Sequence, residues 1–125
     1  MHKEKIDVLV LDDDPDLCML METMLKFAGL NVKRTTNPMH LPQKLEELTP
    51  DVLLMDMLLS GVDGKDICMQ LKNDDATSEI KIMMISAHPD ASEKCLAAGA
   101  DDFLGKPFDM DIFLGKIHNL LTVKV

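Results

Sequence analysis

Five short apolar runs, each followed by a stretch with helical spacing, constrain this chain more than any other feature. Residues 6–11 ("IDVLVL"), 30–36 ("LNVKRTT"), 51–57 ("DVLLMDM"), 80–86 ("IKIMMIS") and 101–106 ("DDFLGK") read as strands, the second the more exposed. After the first, Leu17, Leu20, Met21, Met24, Leu25 and Ala28 form one helical stripe over 15–28, with Gly29 as its stop. Leu41, Leu45 and Leu48 mark a weaker helix whose first turn must hold Pro42. A third helix begins near Gly64 with Ile67, Cys68 and Leu71 inward, and a small-residue helix over 89–98 closes at Gly99. The last spans about 109–121, with Ile112, Phe113, Ile117, Leu120 and Leu121 as its apolar face. Strict alternation of strand and helix implies an α/β, doubly wound chain: a parallel sheet with helices on both faces. Right-handed crossovers leave few topologies.

The 125 residues suit one domain, 1–125, with a core of about 5–122 and no internal repeat or linker. No apolar run approaches the roughly 18 residues of a membrane span. The charged start, 1–7, is unlike a secretory leader, so a cytoplasmic location and no membrane partner are expected. A net charge of −9 and the lack of Trp and Tyr argue against direct nucleic-acid binding. Cys18, Cys68 and Cys95 lack any zinc spacing and read as reduced, apolar-like residues; the 11 Met read as core filler.

In such a sheet, ligands bind beyond the carboxyl ends of the strands. The residues there are Asp12 and Asp13, Asp56, Ser86 and Lys106. Converging carboxylates repel unless a cation is present, and an all-oxygen set with few ligands suits Mg²⁺. Magnesium, a lysine and a hydroxyl together suit a phosphoryl group, for which a carboxylate can be the nucleophile.

These residues carry a resemblance. "LVLDDDPDL", "DVLLMDMLLSGVDG", "IMMISAH" and "GADDFLGKPF" occur in order and at the right spacing, and the chain resembles the receiver domains of two-component response regulators over nearly its whole length. The resemblance implies a (βα)5 flavodoxin-like fold with strand order 2-1-3-4-5. It implies that Asp56 takes a phosphoryl group from the phosphohistidine of a sensor kinase or of a histidine phosphotransfer protein. Asp12 and Asp13 would hold Mg²⁺ together with Asp56 and the backbone carbonyl of Leu58. Ser86 would be the switch hydroxyl and Lys106 the lysine that pairs with the phosphoryl group. Phe103 falls at the switch aromatic, although an ordinary core ring fits it as well. The Lys106–Pro107 bond is expected to be cis. The implied function is a phosphorylation-dependent signalling switch. Its helix 4/strand 5/helix 5 surface would change for a downstream effector or fused output domain. It would not be an enzyme beyond assisting its own phosphorylation and slow dephosphorylation.

Two positions depart from the family pattern. Ser60 stands where proline is usual, so a less rigid loop is expected after Asp56. Leu58 has no polar side chain to position a water, which implies a long-lived phosphoryl group. It also counts against a Mg²⁺-dependent phosphohydrolase, which would need an acid there. A flavin-type cofactor binder is disfavoured because aspartates would repel its phosphate. A non-phosphorylated interaction module is a further alternative. Asp63 reads as a turn residue, Asp101 and Asp102 as surface acids, and His88 as a solvated loop residue or a modest influence on dephosphorylation; His2, His40 and His118 have no ligand spacing.

The run of 12–16 divides into two jobs. Asp12 and Asp13 face the cation, while Asp14, Pro15 and Asp16 suit the N-cap and first turn of a helix. Asp14→Asn should therefore leave Mg²⁺ binding nearly intact and Asp13→Asn should not. Parallel Mg²⁺ titrations check this, and equal losses would undo the division.

Overall fold

Strand β1 (Glu4–Leu11), an interior strand of the sheet, leads into α1 (Pro15–Phe27), β2 (Val32–Thr35), a 3-10 turn (Pro38–His40) and α2 (Leu41–Glu47). Then come β3 (Leu48–Asp56), β4 (Leu58–Leu59), β5 (Val62–Asp63), α3 (Gly64–Lys72), β6 (Lys81–Ser86), α4 (Ala91–Ala97), β7 (Asp102–Gly105) and α5 (Met110–Thr122). This computed structural model describes residues 3–88 and 90–122, the Thr122 side chain excepted. His2 and Pro89, the latter the expected start of the fourth helix, lie outside the described residues.

Five strands form one parallel sheet in the order β2-β1-β3-β6-β7. Its numbering departs from the expected 2-1-3-4-5 because a hairpin of two-residue strands, β4 and β5, intervenes in the chain without joining the sheet. Period-two alternation splits the strands between two cores. Leu9, Leu11, Leu53, Met55, Ile82 and Met84 face α2, α3 and α4 through Leu41, Leu45, Cys68, Ala91 and Cys95. Val8, Val10, Val52, Leu54, Met83 and Ile85 face α1 and α5 through Cys18, Met21, Leu25, Phe113 and Ile117. Both faces are covered, so the central strands read as unbroken apolar runs. All three cysteines are free and buried; burial pushes the Cys68 thiol up to about 11.

Some details differ from the sequence reading. The buried edge of α1 is Cys18, Met21 and Leu25, whereas Leu20 and Ala28 are exposed. The stripe is turned toward the smaller Cys18, which lies against the β2 carbonyl of Thr35 at 3.7 Å. Ile112 on α5 is also exposed. Leu48 is buried as expected but leaves the helix and starts β3. Pro50 is tolerated inside β3 because the strand is paired there only with Ile6 of β1; pairing with β6 begins at Val52. Asp101 is more than a surface acid: its Oδ2 accepts from the Ile82 amide (2.8 Å) and from Lys72 Nζ (2.7 Å), which also donates to the Ile80 carbonyl (2.7 Å). That clasp ties α3 and β6 to the start of β7, at the end of the sheet away from the aspartates. Asp102 accepts from Lys116 Nζ at 3.0 Å.

Gly64 opens α3 against the end of β3. A Cβ there would lie 2.6 Å from the Asp56 carbonyl oxygen and 3.0 Å from that of Met57. Gly115 on α5 has nothing within 4 Å of such a Cβ. Gly64→Ala should cost about 1–3 kcal/mol through forced backbone movement, and Gly115→Ala should gain about 0.5–1 kcal/mol as a helix interior. Urea unfolding of the two variants beside wild type measures both.

Candidate functional site

The carboxyl edge of the sheet is where buried charge gathers. Asp12, directly after β1, has no exposed surface, and Asp56, the last residue of β3, is 9% exposed. Asp13 is half-buried. One oxygen from each of the three lies within 4.8 Å of the others. At an effective dielectric of about 20, two such charges repel by roughly 3–4 kcal/mol.

Hydrogen bonds hold the acids in place. Asp12 Oδ1 accepts from the Asp14 amide at 2.9 Å. Asp14 itself turns away and caps α1, accepting from the amides of Asp16 (3.0 Å) and Leu17 (3.3 Å), with Pro15 in the first turn. Asp56 Oδ1 accepts from the Leu58 amide at 3.1 Å, and its Oδ2 from Lys106 Nζ at 2.8 Å. Lys106 follows β7; its amide donates to the Ser86 carbonyl at 2.8 Å, and the bond to Pro107 is cis. Its ammonium is also 3.7 Å from Asp12 Oδ2. Burial alone would lower the Lys106 pKa; the hydrogen bond and charge of Asp56, helped by Asp12 and Asp14, outweigh it and hold the ammonium above its ordinary value. Burial, reinforced by Asp56 and Asp13, lifts the Asp12 carboxyl above its usual range against the Asp14 amide and Lys106.

Ser86 ends β6 beside Asp56, whose register partner is Ile85, and is buried. Its Oγ accepts from the His88 amide at 3.1 Å, while the His88 residue itself is exposed. Phe103, half-buried on β7, packs against the α2–α3–α4 core. Leu58 opens the hairpin with its side chain exposed. Asp63 is the α3 cap, accepting from the Lys65 amide at 2.9 Å.

The loop after Asp56 is a short closed hairpin. Leu58 pairs with Asp63 and Leu59 with Val62 around a Ser60–Gly61 turn. From that turn the Ser60 amide (2.9 Å) and hydroxyl (2.6 Å) both donate to Asp13 Oδ2. Sequence reasoning missed this pair of bonds. The available signal was the Ser-Gly dipeptide, a general turn cue, which says nothing of the contact to Asp13.

Three carboxylates and one ammonium leave a formal charge of −2 at the site. Among the described residues, Asp12 Oδ2 is the one buried side-chain oxygen or nitrogen without a hydrogen-bond partner. An unpartnered carboxylate oxygen in an all-oxygen acidic cluster fits a hard divalent cation such as Mg²⁺, and Asp12, Asp13 and Asp56 are the residues that would hold it.

The response regulator receiver domain family matches residues 8–118. The DNA-binding dual master transcriptional regulator RpaA of Synechocystis is 33% identical over 116 residues, which are 91% of this chain and 48% of that protein. The chain thus spans about half the length of this curated relative. The signal receiver domain of a DNA-binding response regulator from Colwellia psychrerythraea superposes with a TM-score of 0.85 at 26% identity, covering 93% of this chain and 98% of that one. The receiver domain of sensor histidine kinase PA1611 from Pseudomonas aeruginosa, solved with magnesium in its active-site cleft, shares the fold at 22% identity (TM-score 0.81; 96% and 98% covered).

The upward shift of Asp12 gives a signed prediction. Its folded-state pKa lies above the unfolded one, so its charge costs stability above the folded pKa. That cost fades as pH falls through the folded pKa and is gone below the unfolded value. In chelator at pH 7, Asp12→Asn keeps an acceptor for the Asp14 amide and should stabilise the protein by on the order of 1 kcal/mol. Denaturation midpoints should converge with wild type as the pH is lowered toward 4.

Proposed function

Because this chain belongs to the response regulator receiver domain family, we propose that it is a phosphorylation-dependent signalling switch whose phosphoacceptor is Asp56. The observation that carries this reading is the Lys106–Asp56 contact at 2.8 Å beside a buried, unpartnered Asp12 oxygen. Lysine and acids meet where the buried apolar run 52–55 of β3 ends.

A carboxylate oxygen of Asp56 attacks the phosphorus of a phosphohistidine; the new O–P bond forms as the P–N bond breaks, and the imidazole leaves with its electron pair. Asp12, Asp13 and Asp56, with the backbone carbonyl of Leu58, would hold Mg²⁺, which would neutralise charge on the phosphoryl oxygens. The Leu58 amide and Lys106 fix the Asp56 carboxylate before attack. Afterwards Lys106 pairs with a phosphoryl oxygen. The His88 amide occupies one lone pair of Ser86 Oγ and leaves its O–H to donate to another.

The switch follows from differential contacts. Phosphorylation raises the local negative charge and adds acceptor oxygens. Ser86 moves toward them, and the ring of Phe103 follows into the space behind it. This alters the face built from α4, β7 and α5, which an effector or fused output domain reads. Leu58, with an exposed apolar side chain, offers nothing to orient a hydrolytic water. Phosphorylation is therefore long-lived, and a phosphohydrolase activity is disfavoured. The phosphoryl donor is a histidine kinase or histidine phosphotransfer protein, and the location is cytoplasmic; no described helix is long and apolar enough to cross a membrane.

Incubation with acetyl phosphate and Mg²⁺, followed by intact mass, should show one added phosphoryl group. Chelation of Mg²⁺ or Asp56→Asn should abolish it. Equal addition to Asp56→Asn would defeat the assignment. Removal of the Lys106 ammonium in Lys106→Met should slow the reaction by about 10²-fold or more.

A further inference from the structure

We infer that Ser60 is the positioning residue of the Asp13 carboxylate and sets how tightly the acidic site holds a divalent cation. This rests on the magnesium reading proposed above. Ser60 and Gly61 form the two-residue turn of the β4–β5 hairpin, with φ of 35° and 84°. Two positive φ values in succession are the mark of the hairpin turns that match strand twist. Glycine enters that conformation freely; a serine there costs about 1–2 kcal/mol. Proline, fixed near −65°, cannot enter the turn, and it lacks both donors that Ser60 supplies.

What Ser60 provides is a pair of bonds to one atom. Its amide donates to Asp13 Oδ2 at 2.9 Å and its hydroxyl to the same oxygen at 2.6 Å. The second distance is in the range of charge-assisted O–H···O⁻ bonds. Both contacts span 47 residues of sequence and tie the hairpin to the end of β1. Because Oδ2 takes both donors, Asp13 Oδ1 remains for a cation.

Restraint matters here because Asp13 is the most accessible acid of the three. Repulsion from Asp12 and Asp56 would otherwise turn it outward, and a cation would have to pull it back. Ser60 holds it in the cluster beforehand, leaving less reorganisation to oppose binding. The orphaned Asp12 oxygen independently points to a cation at the same place. Hydrogen-bond partners behind metal ligands typically change affinity by about 10–100-fold when removed.

The test is calorimetric titration of MgCl₂ into the chelator-treated full chain: wild type, Ser60→Ala and Ser60→Gly. Both variants lack the hydroxyl and should bind Mg²⁺ about 10-fold more weakly. Ser60→Gly relieves the positive φ, so if serine serves the turn alone it should bind like wild type. Thermal unfolding in chelator accompanies the titration, and Mg²⁺ affinity is expected to fall in Ser60→Gly without a matching loss of stability. Should Ser60→Ala fail to fold, Ser60→Gly decides. Unchanged or tighter binding in Ser60→Gly, with wild type binding normally, overturns this inference and leaves the phosphoacceptor reading standing. Absence of Mg²⁺ binding by wild type overturns both.

Discussion

Concentrated negative charge at one edge of the sheet is the constraint on which the rest of the structure depends. Asp12 is fully buried and Asp56 nearly so, at the ends of strands whose site-side halves are apolar and buried. Such an arrangement does not survive as bare carboxylates. Nearly every polar contact around it reduces the repulsion. The Asp14 amide serves Asp12, the Leu58 amide and Lys106 serve Asp56, and both donors of Ser60 serve Asp13. One oxygen, Asp12 Oδ2, is left with only the Lys106 ammonium at 3.7 Å. The cluster is thus stable enough to fold and still incomplete, as a binding site for charge should be.

The apolar layers serve the same end. Two cores, one on each side of the sheet, fix the heights of β1, β3, β6 and β7 relative to one another. The register then decides which residues emerge together. Leu11 pairs with Met55, and Asp56 with Ile85, so the residues that follow these pairs come out side by side. Gly64 lets α3 begin almost against the Asp56 carbonyl, which a side chain at that position would prevent.

Much of this was legible in the sequence, for identifiable reasons. Strand ends were visible because unbroken apolar runs stop abruptly at Asp12, Asp56 and Ser86, and because Lys106 closes the short fifth segment "DDFLGK", so these residues could be brought to one edge from the α/β pattern. The Asp14–Pro15 cap was visible because its chemistry is local. Features set by tertiary competition were not. The α1 stripe is turned toward Cys18 because a small residue packs closest to the sheet, where the sequence suggested Leu20. Leu48 keeps the burial expected of it but in a strand, since Glu4 offers it a pairing partner and Pro50 is placed where no partner is needed on the far side. Ser-Gly signals a turn, but the Ser60 contacts also depend on a positive φ at a residue that rarely adopts one, and on Asp13 47 residues away, which no local propensity signals.

The clasp of Lys72, Asp101 and the backbone of Ile80 and Ile82 has a mechanical meaning. It anchors β6 and β7 at their starts, while at their other ends the Lys106 amide donates to the Ser86 carbonyl and Ser86 pairs with Gly105. The two strands are therefore fastened to each other at both ends, by side chains at one and by backbone at the other. Of the two fastenings, the one at the acidic edge is the one that shares its residues with the site.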